Sequence, residues 1–134
     1  MIDIENEIFN RIATALRVKL NPISVYGEWV KSPAVFPVVT IEEKDNSVLR
    51  KTQTDSGIEN HASLMYEVNV YSNKQTGKKS ECKAIFKIID GEFASMGFTR
   101  VLKEPIPSLE DATIYRMIGR YTAVVSTDKV IYRR

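Results

Sequence analysis

The chain reads as an α+β protein: an antiparallel or mixed β-sheet with two amphipathic helices packed on one face. Three observations predict it. Leu64 to Tyr71 alternates, so that Leu64, Tyr66, Val68 and Val70 share one side of a strand, because successive strand side chains point to opposite faces. After the polar turn 72–77, Cys82, Ile85, Phe86, Ile89, Phe93 and Met96 recur at spacings of three and four from about Lys78 to Met96, the stripe of a one-sided helix. Alternating segments then return, joined by short turns, a pattern that favours antiparallel pairing with the helices on a single face.

In chain order, Ile4, Ile8, Phe9, Ile12, Leu16 and Leu20 form the first helical stripe, with Glu5, Asn6, Arg11 and Arg17 opposite. Asp3 is placed as its N-cap, and the acidic first turn suits the helix dipole. Asn21-Pro22 ends it, because a residue before proline avoids the α region. Val25 to Trp29 reads as a short strand or an extended connection, and Val38 to Glu43 as a strand with Pro37 marking its terminus. Lys44 to Asn60 is polar and weakly periodic. Two readings stay open there: a long loop, or a β-hairpin in which strands 38–50 and 56–71 continue outward past the core. Either makes a protrusion that meets a partner. Gly97 is the C-terminal stop of the second helix. Phe98 to Glu104, Thr113 to Val125 and Val130 to Tyr132 complete the strands, the last pairing back as a hairpin.

The 134 residues fit one domain, 1–134, with a real hydrophobic core; 43% hydrophobic and 27% charged residues are ordinary globular values. No apolar run reaches the roughly 20 residues of a membrane span. The acidic opening, Met1 to Glu7, does not read as a secretory leader, so a cytosolic, non-membrane protein is the default. One cysteine allows no internal disulfide and no metal cluster. Cys82 lies on the apolar stripe, which makes it a buried small hydrophobe; a reactive thiol is the sharper alternative.

No motif carries catalysis. His61, the lone histidine, is expected to face solvent, and no Gly-x-Ser-x-Gly elbow is present. Thr76-Gly77-Lys78-Lys79-Ser80 lacks the upstream glycine of a phosphate cradle and reads as a helix start with solvated lysines. Glu42, Glu43, Asp45 and Asp55 lack the spacing of a calcium loop. No cofactor or metal is called for, and the expectation is a protein that is not an enzyme. The net charge of +2 is too small to argue for nucleic acid, and no aromatic stacking platform accompanies the basic residues. Arg116 and Arg120 share a strand face with Ile114, Ile118 and Val124, a mixed surface more typical of an interface than of free surface. Asp45, Arg50, Lys51, Asp55 and Glu59 in the protrusion, with Arg116 and Arg120, are therefore the candidate interaction residues.

Several of these stretches together resemble the tail terminator (tail completion, or tail-to-head joining) proteins of long-tailed bacteriophages. The resemblance lies in the order of elements over nearly the whole chain. It runs from the helix Ile4–Leu20 and the strand from Phe36 to Ile41, through the polar excursion 44–60, to the strand from Tyr66 to Ser72. The helix ending Met96-Gly97-Phe98 follows, then Ile114 to Arg116 and Arg120 to Val125. These motifs recur in several head–tail joining families. The resemblance implies a non-enzymatic homo-hexameric ring, formed at the latest on assembly, that caps the tail tube and presents a surface to the head connector or stopper. DNA passes through the lumen without specific binding. It further implies residues 44–60 for docking and Arg116 and Arg120 for ring or lumen contacts, in a virion protein made in the host cytoplasm. The alternatives are a head-completion or connector-stopper subunit of the same virion, or a small α+β ligand- or nucleic-acid-binding module.

Overall fold

A computed structural model of the chain describes residues 1–20, 22–28, 35–48, 60–107 and 112–132. Helix α1 (Glu5–Lys19) is followed by strands β1 (Ser24–Tyr26), β2 (Val38–Val48) and β3 (His61–Ser72). Helix α2 (Lys78–Met96) then precedes β4 (Thr99–Ile106), β5 (Tyr115–Ser126) and β6 (Ile131–Tyr132). The strands form one sheet in the order β1-β2-β3-β5-β4, with β6 pairing β5 beside β4. All pairs are antiparallel except β1 with β2, which is parallel in the register Ser24↔Val38 to Tyr26↔Thr40. The sheet is therefore mixed, and the expected α+β class is observed.

Both helices lie on one face. Ile8, Ile12, Ala13 and Leu16 of α1, and Cys82, Ile85, Phe86, Ile89 and Phe93 of α2, are buried in one core with the even-numbered β3 residues Ala62 to Val70 and with Met117, Tyr121, Ala123 and Val125. Its densest part is aromatic. Phe93 stacks on Tyr121 at 4.2 Å between ring centroids, and Phe98 meets both Tyr66 and Phe93 edge-on. Gly119 leaves the room that α2 needs there, since a Cβ would stand 2.6 Å from Phe86 Cε1. Gly97 stops α2 as expected. At φ 98° it takes the left-handed turn, the Gly97 N–H donates to the Ala94 carbonyl and the Phe98 N–H to that of Phe93, while the Phe93–Phe98 contact covers the turn.

Four expectations need correction or refinement. Ile4, not Asp3, is the N-cap of α1. Ile2 and Ile4 are buried in the core and fix the chain's entry, so Asp3 accepts the Glu5 N–H (3.1 Å) from one position further out. Residues 44–48 belong to β2, whose pairing with β3 runs to Val48↔Ala62 with a bulge between Glu43 and Asp45. Residues 44–48 are thus strand rather than loop and Asn60 lies outside β3, while the rest of both readings, 49–59, lies outside the described residues. β4 extends through Pro105 to Ile106, tolerable for a proline on an outer strand. His61 is half-buried rather than solvent-facing: its ring sits 5.8 Å from that of Tyr132, and its Nδ1 is buried with no hydrogen-bond partner among the described residues.

Candidate interaction surface

The side of the sheet away from the helices carries the residues that the alternation leaves over. Cross-strand register sorts them into rows. One row reads Val38–Tyr71–Arg116–Ile106 from β2 to β4; the next reads Thr40–Asn69–Ile118–Glu104; a third reads Glu42–Glu67–Arg120–Leu102. Asp45, Met65 and Thr122 continue the pattern beyond the bulge. Three of the sequence candidates, Asp45, Arg116 and Arg120, therefore share one face. Arg50, Lys51, Asp55 and Glu59 lie outside the described residues.

The two arginines are tied down by residues that sequence reading did not single out. Arg120 is paired directly opposite Glu67, its Nη2 standing 3.0 Å from Glu67 Oε2. The Glu67 side chain is only 11% exposed against 44% for Arg120, so the carboxylate is the buried partner and the guanidinium the wet one. Asn69 Nδ2 also donates to Glu67, at 3.3 Å. Arg116 reaches diagonally to donate from Nε to Asn69 Oδ1 (2.9 Å), with its guanidinium carbon 5.6 Å from the centre of the Tyr71 ring. Among the described residues Arg116 makes no ion pair. Burial holds the Tyr71 phenol above its usual pKa, against the opposing pull of the Arg116 charge. The result is a connected polar lattice, Arg120–Glu67–Asn69–Arg116–Tyr71, set among buried Val38, Thr40 and Ile118. Asp45 stands at its margin, exposed, accepting from Ser47 Oγ at 2.7 Å. The signal that marks Glu67, Asn69 and Tyr71 in the sequence is their spacing of two on the polar side of β3. Only the register reveals what they face.

This arrangement orders charge but offers no reacting group. Among the described residues no three His, Cys, Asp or Glu side chains converge as a metal-holding set. Cys82 is buried against the Val70 and Tyr115 carbonyls, and burial, with a smaller push from Glu81, raises its thiol to about 12. It is a packed, protonated side chain rather than a nucleophile. Among the described residues no helix is long and apolar enough to cross a membrane. Comparison of the chain with known protein families and with characterised proteins finds no match.

Proposed function

We propose that this chain is a structural protein of the head–tail junction of a long-tailed bacteriophage, a tail terminator. In this reading six copies close into a ring on the end of the tail tube and present their other side to the head connector, and DNA passes through the lumen unread. The chain does no catalysis. The observation that carries the reading is the helix-free sheet face. It holds a buried carboxylate, two anchored arginines and an aromatic ring in fixed positions, the composition of an assembly surface rather than of a pocket. The long arms of β2 and β3, leading to residues 49–59, support it by extending the sheet toward a docking segment. So does the order of elements, which follows the resemblance drawn from the sequence.

The test is molar mass by light scattering, on the protein alone and mixed with tail tubes. Sixfold assemblies, or binding confined to tube ends, are the expected result. A monomer that never engages tube ends overturns the reading, and capture by head connectors instead of tubes moves the chain to the stopper position.

A further inference from the structure

The strand order places two charge clusters on opposite flanks of the sheet, neither of them in an ion pair among the described residues. On the β4 flank, Lys79, Lys83 and Lys87 recur every fourth residue along α2 and are exposed, a row about 12 Å long. The row continues to Asp90, which bonds Arg100 of β4 at 3.0 Å and so fixes the direction in which it looks, away from α1. Exposed Lys103 adjoins it, because Lys103 pairs with Gly119, the residue over which Phe86 packs. Among the described residues none of these four lysines is in an ion pair. Their placement also works against the helix. Lys78 and Lys79 share the first turn of α2, where the dipole favours carboxylates, with a single acid, Glu81, whereas the first turn of α1 holds Glu5 and Glu7. Exposed cations with no ion-pair partner among the described residues point to a partner outside the chain.

The opposite flank supplies the complement. There Glu5 Oε2 accepts the Glu43 N–H across the junction of α1 with β2 (3.2 Å), and Asp3 accepts the Glu5 N–H. Among the described residues none of Asp3, Glu5 and Glu43 is in an ion pair. Burial, followed by the nearby Glu5 and Asp3 charges, raises the Glu43 carboxyl. Lys103 stands close in height to Glu43, while the lysine row runs from there toward the Ser72 end of the sheet, where Glu81 bonds Ser72. Glu43 is in the cross-sheet row that ends at Arg100, and Lys103 is in the row that starts at Ile41.

We propose that the Lys79–Lys83–Lys87–Lys103 surface of one copy docks on the Asp3–Glu5–Glu43 cluster of the next. The contact is heterologous, each copy giving one flank and receiving the other, so it propagates from copy to copy and closes where the rotation allows. The inference rests on the ring reading for its closed stoichiometry and names the subunit contact within it. That leaves the helix-free face for tube, head or lumen.

The experiment is sedimentation of the full chain at low and high salt, alone and with tail tubes, using two charge-reversed variants. Lys83→Glu/Lys87→Glu and Asp3→Lys/Glu5→Lys should each associate at least about tenfold more weakly than the parent at low salt. Their equimolar mixture should regain association, since every contact then joins opposite charges; that recovery also shows that both variants fold. Variants that assemble like the parent, a mixture that stays dissociated, or a parent that never self-associates overturns the proposal. So does a lysine variant that assembles normally but loses salt-dependent retention on DNA, which would assign the row to nucleic acid. Restored assemblies that are not sixfold would uphold the contact and sink the terminator reading. Sixfold rings on tube ends that ignore charge reversal would do the opposite.

Discussion

The two faces of the sheet are made from alternate residues of the same strands, yet they are put together on different terms. Under the helices, Tyr66, Val68, Tyr121 and Ala123 meet Phe86, Phe93 and Phe98 in dry, interlocking contact. Even the tyrosine hydroxyls leave at the rim, Tyr66 donating to Glu43 and Tyr121 to Asp90, both at 3.1 Å. On the other face, Glu67, Asn69, Arg116 and Arg120 satisfy one another in a lattice. The Arg120–Glu67 pair leaves its guanidinium 44% exposed, and such a half-wet pair contributes modestly to folding, so this face is not what chiefly holds the monomer together. The difference teaches where to look for each property: stability on the covered face and, in the proposed function, assembly on the other face and the flanks.

The largest effect should come from the covered face. Phe93→Ala removes the ring stacked on Tyr121 and the apolar contact that closes the Gly97 turn. Urea denaturation should show a loss of about 3–5 kcal/mol. A loss below about 1 kcal/mol would mean that the cluster collapses around the gap and is not the core's centre. Gly119→Ala comes next. Its added methyl lies 2.6 Å from Phe86 Cε1, so α2 or the Phe86 ring must shift, at about 1–3 kcal/mol. Trimming the obstacle with Phe86→Leu in the same chain should recover part of that cost, a coupling that a double-mutant cycle reads directly.

On the face away from the helices the prediction is an asymmetry. Arg120→Met strands the buried Glu67 carboxylate, whereas Glu67→Gln leaves a guanidinium that water can reach. The first should cost about 1–3 kcal/mol and the second less than about 1 kcal/mol. Equal costs would show that the pair behaves as ordinary surface, and the contrast between the faces would weaken accordingly.

Much of this architecture is written locally, and its limits are physical. The spacings in α2 and β3 are periodicities of the elements themselves, so the helix stripe and the Leu64–Val70 face are readable without a partner. Gly97 is legible for the same reason, as one residue with one backbone requirement. What escaped depends on register or on distant chain. The parallel pairing of β1 with β2 involves three residues with no periodic signal. Gly119 looks like any strand glycine until Phe86 lies across it. Arg120 was singled out, but Glu67 was not, because 53 residues separate them and only the β3–β5 register makes them neighbours. The lysine row was visible at its start and read as solvated. Its meaning depends on which flank α2 turns outward, and that is fixed by the Asp90–Arg100 contact.

The smallest prediction tests a carboxylate at the rim of the covered side, Glu43. Burial first, then the Glu5 and Asp3 charges, raise its carboxyl above the ordinary value, against the lowering pull of the Tyr66 hydroxyl. A raised pKa means that the folded state binds the proton more tightly than the unfolded chain. Its contribution is therefore fully present below the ordinary glutamate value and is lost as pH rises through the raised one. Glu43→Gln keeps an oxygen for the Tyr66 hydroxyl and cannot ionise. Thermal melts should place the variant slightly above the parent near pH 7, with the gap closing as pH falls below about 4. A variant that melts lower at neutral pH would mean that the carboxylate is compensated where it sits. The same substitution should weaken self-association, because it removes one of the three charges offered to the lysine row. Gaining in the monomer while losing in the assembly separates a residue kept for contact from one kept for the fold.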